Sequence, residues 1–252
     1  MNFSVVIITK NEGHIIGNTL QSLQGSTDDI VIVDNGSTDD TIAICKTFNA
    51  RVIETSWKGY GATKNIGIDA AKYDWILSLD ADEAIDSELT SALLNLRTPA
   101  PNYVYKLSYR NFFCGKEIRY GVWARDKHVR FFNRQMVKWD SAEVHEGLQL
   151  PTDVKVASLG GNILHYTVNN IADYCNKTIA YAKSNAKKYY LQGRKAGIIK
   201  LYLAPSVNFL QHYIIRLGFL DGWEGFLICK TNAWYTFLKY AFLREMNGKT
   251  GR

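Results

Sequence analysis

Short apolar runs alternate with helical patterns along the first hundred residues of the chain. Four of these runs predict strands, because they are short, rich in apolar residues and end at polar turns. They span residues 3–9, 30–33, 51–54 and 74–79. Strands that alternate with helices need crossover connections, so the pattern predicts a mostly parallel α/β sheet flanked by helices.

The helices predicted between these strands each bury one apolar face. Their expected core positions are Ile16, Leu20 and Leu23, then Ile44 and Phe48, then the segment 62–71, and finally Leu89, Leu93 and Leu96. Ser37 or Thr38 is expected to cap the second helix, since a hydroxyl before an apolar helical pattern is a common start signal.

After residue 100 the pattern changes. Residues 103–110 alternate between apolar and polar, and further strand-like pieces follow to about His165, which predicts an antiparallel edge on the parallel sheet. From Ile171 the chain is helical, with Gly193 as a stop, and two apolar aromatic segments, 197–220 and 223–245, end it. We therefore expect a catalytic domain over 1–168, divided into halves at residue 100, and a C-terminal helical region over 169–252.

Composition places the chain among ordinary globular proteins. It has 252 residues, of which 46% are hydrophobic and 21% charged. Its four cysteines are far apart and form no C-x-x-C pair, which favours reduced thiols. The N-terminus lacks the basic segment of a signal peptide, so we expect a cytoplasmic protein.

The formal charge of +6 hides an asymmetry. Residues 1–100 carry 7 Lys or Arg against 14 Asp or Glu, whereas residues 101–252 carry 23 against 10. The acidic first part argues against nucleic acid as a partner. The basic, aromatic second part indicates an anionic surface, a phosphorylated acceptor, or a face that is merely solvated.

Polar residues follow directly on three of the predicted strands. Asn11, Asp34 and Asp80 each come just past a strand end, and Asp82 and Glu83 follow Asp80. Ligands of parallel sheets bind beyond the carboxyl ends of the strands, so this edge is where a site is expected.

The pair Asp80-x-Asp82 supplies two hard oxygen ligands on a loop, as Mg²⁺ or Mn²⁺ prefers when substrate phosphates complete the coordination. The alternative is that these carboxylates only favour the N-terminus of the next helix. For Asp86 and Glu88 we prefer that alternative, and for Asp80 and Asp82 we prefer metal binding.

The ordered motifs "VVIITKNE", "IVIVDNGSTDDT" and "KGYGATKNIGIDAAKYDWILSLDADE" resemble the family 2 glycosyltransferases of GT-A fold. The resemblance implies that Asp34 contacts the nucleotide, that Lys64 and Asn65 lie near it, and that Asp80 and Asp82 hold the metal and the sugar-nucleotide diphosphate. The alternatives to these roles are that Asp34 is only a turn residue and that Lys64 is only a solvated charge.

Asn11 and Glu12 in the first motif are expected to line the same nucleotide-sugar site. Later segments, "HVRFFNRQMVKWDSAEVHEGL", "ILHYTVNNIADYCNKTIAYAKSNAKKYY" and "RLGFLDGWEGFLICKTNAWYTFLKYAFLRE", are similar to bacterial lipopolysaccharide-core β-1,4-glucosyltransferases that act on heptose. This resemblance implies an inverting hexosyltransferase with a UDP-sugar donor, a hexose such as glucose, and a glycolipid or oligosaccharide acceptor.

Inversion by direct displacement needs one carboxylate to accept the proton of the acceptor hydroxyl. Asp126, Asp140, Glu143 and Glu146 are the candidates. Glu146 is preferred because it matches the V-H-E motif of the subgroup and precedes a glycine that permits close backbone approach. Glu143 is the second choice, with a surface carboxylate as its alternative.

Histidine and arginine candidates accompany the base. His145 is expected to serve as a further metal ligand, while His165 is equally a ligand or a structural residue. Arg125 and Arg130 are expected to hold the diphosphate or an anionic acceptor, because guanidinium groups bind phosphate in a bidentate manner. For Lys127 a solvated charge is at least as good an explanation.

Neither C-terminal segment is apolar enough to predict a spanning helix, because polar and charged residues interrupt both. Segment 223–245 combines basic residues with aromatics, which suits the inner surface of the cytoplasmic membrane. The alternative is that these helices cover the sheet or pack against a second subunit.

Two other functions compete with the transferase. A sugar-nucleotide pyrophosphorylase would need a glycine-rich, arginine-containing loop after the first strand, and "TKNEGHIIG" lacks it. A non-catalytic sugar-nucleotide-binding module at the membrane would not need Asp80, Asp82 and Glu146, all of which are present.

Overall fold

The computed structural model describes residues 1–124, 126–140 and 147–249. The strands found in these residues are β1 Ser4–Thr9, β2 Ile30–Asp34, β3 Arg51–Glu54, β4 Trp75–Asp80, β5 Glu83–Ile85, β6 Tyr103–Phe113, β7 Lys116–Ile118, β8 Lys127–Asn133, β9 Lys138–Trp139, β10 Leu148–Gln149 and β11 Lys155–Val168. The α-helices are α1 Ile16–Ser22, α2 Thr41–Thr47, α3 Tyr60–Ala70, α4 Ser87–Asn95, α5 Ile171–Leu191, α6 Ile198–Leu210 and α7 Gly222–Lys249. A π-helical turn, Gln211–Ile215, and a 3-10 helix, Gly218–Asp221, connect α6 to α7.

The parallel part of the sheet has the order β3-β2-β1-β4. Its register places Thr9 opposite Asp34 and Ile8 opposite Asp80. The two carboxylates therefore end strands on either side of β1, at one edge of the sheet. The predicted parallel sheet and its polar edge are confirmed.

The expected cap of α2 is wrong. The helix begins at Thr41 after Asp40, whose side chain makes no capping hydrogen bond. Ser37 Oγ instead donates to Asp34, and the Thr38 backbone N donates to Asn11 Oδ1 (2.7 Å). The hydroxyl and amide are used to bind neighbouring loops together, which the local sequence pattern does not reveal. Asp86, by contrast, does cap α4, by accepting from Leu89 N (2.8 Å).

Antiparallel strands extend the sheet beyond β4. β8 pairs with β4, β6 follows β8, and β11 lies between β6 and β5. Phe131 and Phe132 in β8 are both fully buried, one on each face, since neighbouring residues of a strand point in opposite directions. This antiparallel edge was predicted, and it puts β8 directly beside the strand that ends in Asp80.

Two apolar clusters cover the two faces of the sheet. Val5 and Ile7 of β1 belong to one cluster and Val6 to the other, as strand alternation requires. Helix α3 lies close to the second face at Gly67, where a Cβ would come within 2.5 Å of Val6 Cγ1. Glycine at this position therefore lets the helix that carries Lys64 approach the sheet.

Asp29, just before β2, connects three segments of this unit. Its carboxylate accepts hydrogen bonds from Ser4 Oγ, Lys72 N (2.7 Å) and Arg51 Nη2 (2.7 Å). Burial would raise its pKa, but these hydrogen bonds and the Arg51 charge together lower it. The folded state thus favours the ionised carboxylate.

Asp29→Asn should lower the free energy of unfolding by about 2 kcal/mol near neutral pH, because hydrogen bonds to a buried charge are lost. Since the folded pKa lies below the unfolded value of about 3.9, this contribution is present above that pH and disappears as the pH falls through the folded pKa. Urea unfolding at neutral and acidic pH measures it, with the exposed Asp28→Asn as control. Equal stability of wild type and Asp29→Asn at neutral pH would contradict it.

The chain forms two compact units, residues 1–109 with 126–165 and residues 110–125 with 166–252. In the second unit, Phe113, Ile118, Val168 and Ile228 share a small core, and α7 packs against α5 and α6. The predicted division at residue 168 stays a prediction. None of the helices within the described residues is both long and apolar enough to cross a membrane.

Candidate active site

Asp80 lies at the tip of β4 between two cationic side chains. Lys64 Nζ, from α3, is 3.1 Å from its Oδ1, and Arg130 Nη2, from β8, is 3.0 Å from its Oδ2. Only 3% of the Lys64 side chain and 11% of the Arg130 side chain are exposed, against 33% for Asp80. The two buried cations therefore hold a carboxylate that reaches solvent at this strand tip.

A second carboxylate shares the same guanidinium. Glu83, which is 1% exposed, accepts from Arg130 Nη2 (2.9 Å) and, through its other oxygen, from the Asp80 backbone N (2.9 Å). Arg130 Nε donates to the hydroxyl of Tyr109 in β6. Asp80 is thus fixed at both its side chain and its backbone by one buried network of Arg130, Glu83 and Tyr109.

The network separates the pKa values of its two carboxylates. Burial by itself would raise the pKa of Asp80, but the charges of Arg130 and Lys64 outweigh burial and hold it below its usual value. Burial also raises the pKa of Glu83, and here the Asp80 charge adds to the rise, against the opposing Arg130. Asp80 is therefore the carboxylate that stays ionised, as a cation ligand must.

His165 in β11 approaches the second aspartate of the motif. Its Nε2 is 3.5 Å from Asp82 Oδ2, and the β11–β5 register places it opposite Glu83. Burial would lower the pKa of His165, but the hydrogen bond to Asp82 and the charges of Asp82, Glu83 and Asp80 raise it. Within the described residues His165 is thus brought to the carboxylates, while His145 lies outside them and its role as a metal ligand stays a prediction.

Lys64 and Asn65 also bind the short strand β9. Asn65 Nδ2 donates to the Trp139 carbonyl (2.9 Å), and Trp139 N donates to Asn65 Oδ1 (3.1 Å). The Trp139 ring lies 4.5 Å from Lys64 Nζ, in a cation–π contact. The role of Lys64 and Asn65 near a nucleotide stays a prediction. In the structure, Asn65 holds Trp139 next to Lys64, the lysine that pairs with Asp80.

Asp34 organises the turn after β2. It is fully buried, and its Oδ2 accepts from the backbone N of Gly36 (2.9 Å) and of Ser37 (2.8 Å). These bonds correspond to the turn role that the sequence left as an alternative. Contact with a nucleotide is not tested by them and stays a prediction.

Asn11 and Glu12 connect the loop after β1 to the loop after β2. Asn11 adopts a left-handed backbone, with φ of 55°, and its N donates to Ser37 Oγ (2.8 Å). Glu12 N donates to Thr41 Oγ1 (2.9 Å). The two loops thus form one connected rim at the carboxyl ends of β1 and β2, where a nucleotide is expected.

Four candidates, Arg125, Glu143, His145 and Glu146, lie outside the described residues. The general base and the third metal ligand of the sequence prediction are among them. Both roles stay predictions.

Three members of the site do not follow from the sequence: Glu83 as a partner of Arg130, Tyr109 and Trp139. A signal existed for Tyr109, because the alternation in β6 puts it on the same side as Tyr105 and Leu107. Glu83 follows Asp80 by three residues, but sequence spacing does not show that its partner is an arginine 47 residues later.

Asp80 and Asp82 suit a divalent cation in their donor chemistry, since both offer partly exposed carboxylate oxygens. Within the described ranges no group of three His, Cys, Asp or Glu side chains converges into a complete metal site. Proteins usually bind Mg²⁺ through one or two carboxylates, and water and substrate phosphate supply its remaining ligands. The residues present therefore fit such an ion when it binds together with a diphosphate.

Comparison with known proteins identifies relatives over nearly the full chain. The model of the family "Glycosyl transferase family 2" matches residues 4–147. An uncharacterized glycosyltransferase of Rickettsia typhi is 29% identical, over 98% of this chain and 88% of that protein. The lipopolysaccharide core biosynthesis glycosyltransferase LpsC of Rhizobium meliloti is 27% identical, over 99% of this chain and 94% of that protein.

Among solved structures, residues 1–349 of S. aureus TarS match with a TM-score of 0.44 and 15% identity, over 100% of this chain and 92% of that chain. Glucosyl-3-phosphoglycerate synthase from Mycobacterium tuberculosis, solved with Mn²⁺ and UDP, matches with a TM-score of 0.32 and 23% identity, over 45% and 44% of the two chains. These scores are too low to support an argument about the site.

The family match covers the whole parallel part of the sheet, the β4 tip and the antiparallel strand that carries Arg130. It agrees with the strand order, with the carboxylates at the sheet edge and with the names of the relatives. The chain belongs to glycosyl transferase family 2 and has the GT-A fold.

Proposed function

We propose that the protein transfers a hexose, with glucose as the first candidate, from a UDP-sugar to a sugar hydroxyl of a cell-envelope glycolipid such as lipopolysaccharide core, with inversion at the anomeric carbon. The observation that carries this proposal is the Asp80 carboxylate at the tip of β4, held between Lys64 and Arg130 with Asp82 beside it.

Asp80 and Asp82 are the residues that would hold Mg²⁺ or Mn²⁺ and, with it, the donor diphosphate. A bound divalent cation stabilises the negative charge that develops on the leaving diphosphate. Arg130, Glu83 and Tyr109 keep the Asp80 carboxylate in position, and Lys64 keeps it ionised. Such preorganised charge needs no rearrangement during the reaction.

The transfer itself is a single displacement in this proposal. The acceptor hydroxyl oxygen forms a bond to the anomeric carbon, the bond from that carbon to the diphosphate oxygen breaks, and UDP leaves. Glu146 accepts the hydroxyl proton, with Glu143 as the second candidate. Asp34, Asn11, Glu12 and Asn65 are assigned to the rim that receives the nucleotide, and Arg125 to an anionic group of donor or acceptor.

Support for the acceptor comes from the relative LpsC, which is named for lipopolysaccharide core biosynthesis and aligns over 99% of this chain. A lipid-linked acceptor on the cytoplasmic side requires an enzyme that works at the inner membrane surface. We therefore propose a cytoplasmic protein that associates peripherally with that membrane.

UDP release from a panel of UDP-sugars tests the proposal, with Mn²⁺, Mg²⁺ or EDTA present and with extracted envelope glycolipid as acceptor. We expect one donor to be turned over, faster with the glycolipid, and EDTA to abolish the reaction because the diphosphate charge is then uncompensated. Anomeric configuration of the product, read by NMR, tests inversion. UDP binding without turnover in the presence of glycolipid would instead indicate a non-catalytic sugar-nucleotide-binding module.

A further inference from the structure

Helix α6, the two short helical turns after it and the first turn of α7 expose large apolar side chains. Six of them define what we call the apolar face, with exposed fractions between 53% and 76%: Ile199, Leu203, Val207, Leu210, Ile215 and Trp223. Contiguous exposed apolar surface of this kind marks an interaction site in a folded protein.

The apolar face is the outer side of a helix whose inner side is already packed. Leu203 and Val207 follow Ile199 at helical spacing and therefore lie on one side of α6. On the other side, Asn208 accepts a hydrogen bond from Asn232 of α7 (2.7 Å), and the Phe209 ring is 6.0 Å from that of Phe226. The outward direction of the apolar residues is thus determined by the packing of α6 on α7.

Close contacts also fix the connection from α6 to α7. A Cβ on Gly225 would lie 2.0 Å from the Gly218 carbonyl, so the turn and the helix touch through backbone. Asp221 accepts from the backbone N of Tyr120 (2.8 Å), in the same unit. The exposed Trp223 therefore projects from a fixed support and needs no ordering when it binds.

Basic residues predominate around the apolar face. Between Asp173 and Asp221 the chain has eight Lys or Arg and no Asp or Glu. Arg194, Lys195 and Lys200, at the start of α6, are exposed, as is Arg216 between the two short turns. Glu224, next to Trp223, is acidic and pairs with Lys116 Nζ (2.7 Å). Exposed apolar residues in such a predominantly basic setting match the surface of an anionic bilayer, which offers acyl chains beneath negatively charged head groups.

We propose that the apolar face docks the protein onto an anionic lipid membrane, with Ile199, Ile215 and Trp223 entering the interface. A second copy of the chain would bring the same positive charge to this face and be repelled. The inference rests on the proposed function only in that a lipid-linked acceptor lies at a membrane.

The proposed docking surface lies mainly on α6 and the turns after it, and it takes only Trp223 from segment 223–245. For segment 223–245 the sequence left membrane contact and packing as open alternatives. In the structure the segment forms most of α7, which packs against α5 and α6 and buries Ile228, Cys229, Ala233 and Leu243. Contact of this segment with the membrane stays a prediction, and most of the exposed apolar face comes from α6.

Sedimentation with vesicles tests the proposal, using wild type and Ile199→Ser/Ile215→Ser/Trp223→Ser without donor or acceptor. Vesicles of phosphatidylcholine with phosphatidylglycerol should bind wild type better than phosphatidylcholine alone, and high salt should weaken the binding. The triple variant should bind at least about tenfold more weakly, because three apolar side chains no longer enter the interface. Leu94→Ser/Leu150→Ser/Val156→Ser is the control, with three apolar residues of the other unit that are 43–53% exposed, and should bind like wild type.

Two results would overturn the proposal: no binding of wild type to anionic vesicles, or equal binding of wild type and triple variant. A wild-type dimer that the triple variant dissociates, seen by sedimentation equilibrium, would also overturn it by assigning the face to self-association. UDP release from the soluble donor is measured separately on the same samples. Vesicle binding without turnover thus counts against the proposed function alone, and turnover without vesicle binding against the docking surface alone.

Discussion

Asp82→Ala should lower kcat/KM for sugar transfer by about a thousandfold. Removal of a group that stabilises charge in the transition state typically costs 10²–10³ in rate, and loss of the metal adds to this. Asp82 lies 3.5 Å from His165 but takes no part in the buried network around Arg130 that the structure describes. Its loss should therefore affect the reaction far more than the fold.

The measurement is UDP release with the preferred donor and glycolipid across a series of Mn²⁺ concentrations, together with the melting temperature. Asp80→Asn should lose as much activity as Asp82→Ala, and both should need more metal for the activity that remains. Asp28→Ala serves as control, since Asp28 is exposed and pairs with Lys72 away from the site. If Asp82→Ala kept more than about a tenth of wild-type activity, the assignment of Asp82 as a metal ligand would be wrong.

Arg130→Met should lower the free energy of unfolding by about 3–5 kcal/mol and abolish transfer. Breaking a buried ion pair is costly because it leaves an uncompensated charge without water. Here a single guanidinium serves both Glu83, which is 1% exposed, and Asp80. Without it, two carboxylates face each other and only Lys64 remains as a partner for Asp80.

The double variant Arg130→Met/Glu83→Gln separates stability from positioning. It should recover part of the lost stability, because the buried carboxylate is neutralised together with its partner. It should recover no activity, because the Asp80 side chain no longer has its ion pair with Arg130 of β8. Urea unfolding and the UDP release assay give the two readouts.

Arg110→Met is the matched control, since Arg110 is 40% exposed and pairs with Glu117. Partly exposed pairs contribute little, so its change in unfolding free energy should stay below about 1 kcal/mol. A loss of similar size in Arg130→Met and Arg110→Met would show that the Arg130 network does not organise the core of the site.

The strand and helix order of the first hundred residues was predictable because hydrophobic periodicity there is strong and local. Strands β1 to β4 differ from the predicted runs by at most one residue at either end. The position of Asp80 at a sheet edge also followed, since parallel strands in an α/β alternation must end on the same side. Chain order and local chemistry were sufficient for these features.

Partners that are distant in sequence were not predictable. Arg130 was expected to hold the diphosphate or an anionic acceptor, and this role stays a prediction. Its contact with Asp80 and Glu83, 50 and 47 residues earlier, follows only from the pairing of β8 with β4. The position of His165 near Asp82 depends likewise on the pairing of β11 with β5. Sheet pairing between distant strands is decided by the packing of the whole unit.

The two apolar C-terminal segments show the same difference between local features, which the sequence predicts, and contacts, which depend on the fold. By itself, the sequence determined that both are helical, interrupted and too polar to span a bilayer, because composition and periodicity are local properties. Only the tertiary structure decided that α7 packs between α5 and α6 while α6 exposes its apolar face. Which side of an apolar helix is buried depends on the partners that cover it, and those partners are assembled only in the fold.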